Sequence, residues 1–187
     1  MKKERIALVS LVLIISTIAC RINVGGPTPT GQPIVISTEA ASSLQQQFEQ
    51  AMQNPDQNGK ITLTINESQL TSLLAEKIAS QTDPIITNPQ VYLRDGQIQI
   101  YGKASQGYFD ANVAIILTAT IDPNGKPLLE ITSADFGPIP VPTNLTETLS
   151  SMVQDAYTGA LGPTAIGFKL DSIVIAEGLM MLTGSVQ

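Results

Sequence analysis

The side chains that most often perform chemistry in proteins are scarce in this chain. Its 187 residues include no His, no Trp and one Cys, Cys20. A Ser-His-Asp triad, a His-ligated metal site and an intramolecular disulfide therefore lack residues that they need. The sequence also has no G-x-S-x-G, P-loop or dinucleotide-binding pattern. We expect a protein that is not an enzyme and that has no metal or cofactor.

The carboxylates are numerous but form no recognisable acid–base pair. Sixteen acidic residues against ten basic residues give a net charge of -6. Asp95, Asp122 and Glu177 lie in predicted turns, where solvation explains them. The segment 122–125, Asp-Pro-Asn-Gly, lacks the spaced carboxylates of a calcium loop, so we interpret it as a turn. Nucleic-acid binding is not expected, because an acidic chain does not neutralise phosphates.

The beginning of the chain predicts export. Residues 1–5 are mostly basic and residues 6–15 form an apolar run, which is the order of a signal peptide. The uncharged stretch 6–20 has 15 residues, fewer than the roughly 20 that a membrane-spanning helix needs. We therefore predict a signal peptide over residues 1–19 rather than a retained membrane-spanning anchor.

The residues around Cys20 resemble the lipobox of bacterial lipoproteins. Thr17-Ile18-Ala19 stands directly before Cys20, and Thr17 occupies a place where that family usually has Leu. The resemblance implies cleavage after Ala19, a diacylglyceryl thioether on Cys20 and attachment to the extracytoplasmic side of the cell membrane. Ordinary secretory cleavage before an unmodified Cys20 is the alternative.

The segment that follows the signal peptide is predicted to be a tether. Residues 20–36 comprise Cys20 and a stretch rich in Gly and Pro, RINVGGPTPTGQPIVI, which favours disorder. At ~3.1 Å per residue, such a segment reaches on the order of 40 to 50 Å. Without residues 1–19 the chain keeps seven basic and fifteen acidic residues, a net charge of -8. Anionic lipids repel that charge, so we expect the body to stand off from the membrane.

Residues 37–187 are predicted to form a single α+β domain. About seven segments alternate apolar and polar residues as strands do, and Asp95-Gly96 between two of them is typical of a tight hairpin. The clearest strand is 108–122, in which alternate residues from Val113 to Ile121 are apolar. We expect one curved, mainly antiparallel sheet with two or three amphipathic helices on one face.

The helices are predicted from apolar spacing and from capping residues. The first begins near Ser37, and the other two follow Asn66 and Asn144. Asn66 with Gln69, and Asn144 with Glu147, have the spacing of a capping box. Both Asn residues also begin glycosylation sequons, which we interpret as helix caps rather than glycan sites.

Apolar residues occur in more places than a sheet with one wet face requires. The run Leu179–Leu182 is apolar on both strand faces. Other apolar residues lie in connections bounded by Pro. Each of them either lines a hydrophobic groove, such as the one left between two helices packed apart on a curved sheet, or belongs to ordinary packing. The candidate ligand-binding residues are Leu74, Ile78, Ile85, Ile86, Ile139, Val141, Leu149, Met152, Met180 and Met181.

Three segments resemble the YpmS-type and LmeA-type families of bacterial envelope proteins. They are ITLTINESQLTSLLAEKI, FGPIPVPTNLTETLSSMV and LDSIVIAEGLMMLTGSV, and the resemblance covers about residues 60–187. It implies export, anchoring near the membrane, phospholipid binding and a fold similar to a lipid-binding tubular half-domain. In this chain a lipobox cysteine replaces the membrane-spanning anchor that is common in those families.

Together these features predict an extracytoplasmic lipoprotein that binds a phospholipid or another acyl-chain ligand without catalysis. The alternative is an interaction module that holds an envelope protein partner through an exposed apolar patch. A cavity deep enough for an acyl chain favours the first function. A well-filled core with one exposed patch favours the second.

Overall fold

A computed structural model describes residues 22–158 and 168–186, and Cys20 lies outside these ranges. The described residues form eight strands and three helices. The strands are β1 (Ile22–Asn23), β2 (Lys60–Asn66), β3 (Thr87–Arg94), β4 (Gln97–Gln106), β5 (Phe109–Ile121), β6 (Pro127–Asp135), β7 (Phe168–Ala176) and β8 (Leu179–Val186). The helices are α1 (Thr38–Gln53), α2 (Glu67–Ala79) and α3 (Leu145–Thr158).

The predicted fold class is confirmed, but the strands form two sheets instead of one. A five-stranded sheet has the order β1-β5-β4-β3, with β6 also paired to β5, and a three-stranded sheet has the order β2-β8-β7. All pairings are antiparallel except that of β1 with β5. Two sheets form because β2, β7 and β8 pair with one another and not with the other described strands, with Lys60 opposite Ser185. Local alternation carries no information about a partner so distant in the chain.

Both sheets contribute to one hydrophobic core. Leu63 and Met180 from the three-stranded sheet belong to the same buried cluster as Leu93 and Ile115 from the five-stranded sheet. The inward residues of β5 are among the most completely buried of the described residues, and Ile115 is 0% exposed. The alternation that predicted β5 therefore identified the face that the core occupies.

The caps at the two N-terminal helices agree with the sequence. The Ser37 hydroxyl accepts a hydrogen bond from the Ala40 N–H at 3.0 Å and begins α1. At α2, Asn66 Oδ1 accepts from the Gln69 N–H at 2.9 Å, and the Asn66 N–H donates to Gln69 Oε1 at 3.0 Å. This reciprocal pair is the predicted capping box, and it satisfies backbone donors that an uncapped helix leaves free.

Helix α2 covers the free edge of β3 and bonds to it through two side chains. Thr71 Oγ1 accepts from the Val91 N–H at 2.9 Å, and Glu67 Oε1 accepts from the Leu93 N–H at 2.8 Å. Four residues of helix rise about 6 Å and two residues of an antiparallel strand about 6.8 Å. Because these distances nearly match, one helix face can satisfy alternate N–H groups of an edge strand.

The segment expected to be a free tether is instead bound along the domain, and we call residues 22–36 the strap. Ile22 and Asn23 pair in parallel with Phe109 and Asp110 of β5. The Asn112 N–H then donates to Gly25 O at 2.8 Å. Gly26 follows, where an added Cβ would collide with the Asn112 carbonyl oxygen. Only glycine permits so close a passage of two backbones.

The strap continues across the outer face of the five-stranded sheet to the edge at β3. The Tyr92 hydroxyl donates to Gln32 O at 3.0 Å, and Gln90 Nε2 donates to Ile34 O at 3.1 Å. Gly31 lies against the Tyr92 ring, since a Cβ there would be 2.6 Å from Cε1. Tyr92 is consequently only 3% exposed. Gly and Pro exclude helix from this segment, but its backbone polar groups still find fixed partners on the sheet.

Candidate functional site

An apolar groove lies between α2 and α3, over strand β4. The connection between α2 and β3 closes one side of it. Its volume is about 20 Å³. The residues that line it come from four segments of the chain and are Leu74, Ile78, Gln81, Ile85, Ile86, Ile100, Leu145, Thr148 and Leu149.

Helical spacing and a short connection bring these residues together. Leu74 and Ile78 are one turn apart on α2, and Leu145 and Leu149 are one turn apart on α3, so each pair shares a helix face. Ile100 comes from an inward position of β4 and is 6% exposed. The two helices thus form opposite walls, and the sheet forms the floor.

The groove is small. A volume of about 20 Å³ corresponds to roughly one water molecule. An apolar cavity that holds benzene measures about 150 Å³. An acyl chain therefore fits only if the residues that line the groove move apart.

The groove has no charged lining residue. Its polar side chains are Gln81 and Thr148, which can bond to a carbonyl or hydroxyl but do not exchange protons near neutral pH. Among residues 22–158 and 168–186, no group of three or more His, Cys, Asp or Glu is arranged to bind a metal. The lining chemistry suits an apolar ligand with few polar atoms.

Five of the ten predicted ligand-binding residues line this groove. They are Leu74, Ile78, Ile85, Ile86 and Leu149. The prediction did not include Gln81, Ile100, Leu145 and Thr148. Apolar spacing in α3 did mark Leu145, but spacing alone does not distinguish the wall of a groove from the core.

The other predicted residues lie elsewhere. Ile139 packs against the core cluster, whereas Val141 is 45% exposed. Met180 is buried in the core at 7% exposed, and Met181 points to the opposite face of β8 at 45% exposed. Both methionines are in the three-stranded sheet, away from the groove between α2 and α3. Met152 belongs to α3, but its side chain lies outside the described part of the structure. Cys20 lies outside the described part as well.

A second apolar surface covers the outer face of the three-stranded sheet. We call Val174, Leu179 and Met181 the outer patch; they are 54%, 46% and 45% exposed. Met181 is the register partner of both Val174 on β7 and Thr64 on β2. The run Leu179–Leu182 is apolar on both strand faces, and within the described residues its outer face is about half exposed to solvent.

The main ionic contact does not line the groove, and it lies beside the outer patch, at the β7–β8 turn that precedes Leu179. Arg94 pairs with Glu67 at the start of α2, and Arg94 Nε is 3.2 Å from Glu177 Oε2 in the β7–β8 turn. The guanidinium is also 5.8 Å from the centre of the Tyr92 ring. Burial raises the pKa of the Tyr92 hydroxyl, and the negative charge of Glu67 adds to this effect. These contacts join the end of β3 to the start of α2 and to the β7–β8 turn, and we interpret them as structural.

Asp122 occupies a turn, as its sequence predicted. Its Oδ1 accepts hydrogen bonds from the N–H groups of Asn124 and Lys126, both at 2.8 Å. These bonds, that of Lys126 first, lower the pKa of the Asp122 carboxyl because they stabilise its charged form. The turn between β5 and β6 is therefore explained by its own hydrogen bonds.

Comparison with protein-family models, with curated proteins and with solved structures found no match to the chain. Without a match, the protein is described by its own fold and groove. It is an α+β protein with two sheets and an uncharged apolar groove between helices. In the two described ranges, no helix is long and apolar enough to cross a membrane. The resemblance to the YpmS-type and LmeA-type families stays a prediction.

Proposed function

We propose that this protein is a lipoprotein, attached through Cys20 to the extracytoplasmic side of the cell membrane, that binds an acyl chain of a phospholipid or similar molecule without catalysis. The observation that carries the proposal is the uncharged groove between α2 and α3. The lipobox at residues 17–20 supports the anchoring. The implied half-domain of the lipid-binding tubular type belongs to the same proposal.

The two helical walls differ in how they are held. The Thr71 and Glu67 side chains bond α2 to β3. Helix α3 instead lies beside β6, and its residues Leu145 and Leu149 pack in the hydrophobic core. We infer that α3 moves aside when a ligand enters. Each buried CH₂ contributes about 0.8 kcal/mol, so that about six methylenes contribute roughly 5 kcal/mol toward opening the groove.

The proposal is tested with residues 21–187 produced without the anchor. Organic extraction followed by mass spectrometry should recover lipid that copurifies with the protein. The delipidated protein should then bind a fluorescent long-chain fatty acid and a labelled phospholipid saturably. Absence of both copurifying lipid and saturable uptake would refute lipid binding.

A matched pair of variants on α3 tests the groove itself. Leu149→Asp places a charge in the wall of the groove, whereas Ser150→Asp places the same charge on the adjacent, exposed position. We expect Leu149→Asp to weaken fatty-acid binding at least about tenfold, or about 1.4 kcal/mol, because a carboxylate in this apolar wall loses its hydration when the ligand covers it. Ser150→Asp should bind like the wild type. Equal affinity of the two variants would show that the ligand binds elsewhere.

The second candidate function is an interaction module. The outer patch favours it, and so does the groove volume of about 20 Å³, which is too small for an acyl chain unless the walls of the groove move apart. Three large apolar side chains on one sheet face are each about half exposed, and exposed apolar patches often bind other proteins. A partner crosslinked to the wild type in cells should be lost with Met181→Glu and retained with Leu149→Asp. The reverse pattern would assign the partner to the groove and contradict this candidate.

A further inference from the structure

A third apolar surface lies where the chain enters the domain. Ile22, Tyr108 and Phe109 are 53%, 75% and 49% exposed, and we call them the entry tip. The Ile22 N–H donates to Tyr108 O at 2.9 Å, and Ile22 is the register partner of Phe109. The three exposed residues are therefore backbone neighbours at the end of the β4–β5 hairpin.

The strap leaves little free chain between this surface and Cys20. Ile22 is bonded to β5, and Cys20 precedes it by two residues. Two extended residues span at most about 7 Å. A free tether over residues 21–36 would instead reach on the order of 40 to 50 Å. Chain length alone therefore limits an acyl group on Cys20 to the neighbourhood of Ile22.

The composition around the entry tip fits the surface of a lipid bilayer. Residues 22–36 and 104–109 contain no acidic or basic side chain. The carboxylate of Asp110, the residue after Phe109, accepts a hydrogen bond from the Ser105 hydroxyl at 2.7 Å. A tyrosine ring combines an apolar body with a polar hydroxyl and is favoured where hydrocarbon meets lipid headgroups. Phe109 and Ile22 add apolar area next to it.

We propose that the entry tip inserts among the lipid headgroups when Cys20 is acylated, which places the domain against the membrane in one orientation. This inference rests on the lipid anchor of the proposed function but not on ligand binding in the groove. It replaces the expected stand-off, because the strap removes the length that a stand-off needs. The two acyl chains supply the attachment, and the entry tip supplies the orientation.

The test uses the absence of Trp from the chain. Tyr108→Trp puts a single fluorescent reporter in the entry tip, and Val174→Trp puts one in the outer patch as the matched exposed control. Each full-length variant is purified from bacterial membranes and reconstituted in phosphatidylglycerol–phosphatidylcholine vesicles with or without brominated acyl chains. We expect the emission of Tyr108→Trp to shift to the blue and to be mostly quenched by bromine. The emission of Val174→Trp should not change.

The mass of the N-terminal peptide shows whether Cys20 is acylated. It therefore distinguishes a failure of the lipid anchor from a failure of the inference about the entry tip. An unmodified Cys20 would overturn both the anchor and this inference. An acylated Cys20 with a Trp at position 108 that stays unshifted and unquenched would overturn this inference alone. Phe109→Trp provides a second reporter in the same tip, and the same two outcomes apply to it. Fatty-acid binding by the groove is measured separately and decides neither outcome.

Discussion

The hydrogen bond between Thr71 and β3 yields a prediction whose size can be worked out from the structure. Thr71 is 0% exposed, and its hydroxyl is the acceptor for the N–H of Val91, a residue that is 3% exposed. Thr71→Val keeps the shape of the side chain and removes the acceptor. A buried donor left without a partner costs about 1 to 3 kcal/mol. We expect the free energy of unfolding to fall by that amount.

The assay is urea unfolding followed by circular dichroism, with a thermal scan beside it. For a domain of about 150 residues, each kcal/mol lowers Tm by about 2 to 4 °C, so a total decrease of roughly 2 to 12 °C is expected. The dependence of the unfolding free energy on urea should not change, since the surface exposed on unfolding is the same. A lower midpoint with an unchanged slope is the expected result.

Two controls isolate the hydrogen bond from other effects of the substitution. Thr62→Val makes the same chemical change at an exposed position of β2 and should stay within about 0.5 kcal/mol of the wild type. Thr71→Ser keeps the hydroxyl and should lose only about 1 kcal/mol for the missing methyl group. If Thr71→Val is as stable as the wild type, or Thr71→Ser is the less stable of the two variants, the reasoning about this edge strand is wrong.

Two further predictions concern the strap and the Tyr92 hydroxyl. Gly26→Ala introduces a Cβ against the Asn112 carbonyl, and we expect faster amide hydrogen exchange at Ile22 and Val24. Gly25→Ala is the control, because no atom lies near its Cβ, and it should have the smaller effect on exchange. Equal effects of the two substitutions would contradict the close contact between Gly26 and Asn112. The raised pKa of Tyr92 means that its contribution to stability is complete below the ordinary value of about 10 and is lost as pH rises through the folded pKa. Tyr92→Phe should therefore lose stability less steeply than the wild type above about pH 10, as measured by urea unfolding, and an equally steep loss in both proteins would argue against it.

The local elements could be predicted from the sequence because short-range chemistry determines them. Asn66 and Gln69 are three residues apart and form their capping box without help from distant residues. The Asp95-Gly96 turn has positive φ angles at both positions, 54° and 71°, as expected for a two-residue hairpin turn. In β5, period-two alternation placed Val113 and Ile115 on the face that is buried.

The groove was only half predictable because its walls come from separate segments. The apolar residues of α2 and α3 were recognisable as helix faces, and five of the predicted residues meet there. Met180 and Met181 had the same apolar character, but β8 lies in the other sheet and sends them to opposite faces. A residue type indicates that a side chain favours burial, whereas the packing of distant segments decides which apolar side chains share a surface.

The strap shows the same division most clearly. Composition determined that the Gly- and Pro-rich residues 22–36 form no helix, and the lipobox pattern predicted an acylated Cys20 ahead of them. Only the tertiary structure decided that this segment is bound to the domain, through partners such as Tyr92 and Asn112. Those partners lie some 60 to 90 residues away in the chain, and the surface that receives the segment exists only after β3, β4 and β5 have assembled. Local residues determine which conformations a segment can adopt, and the assembled sheet selects one of them by bonding to its backbone.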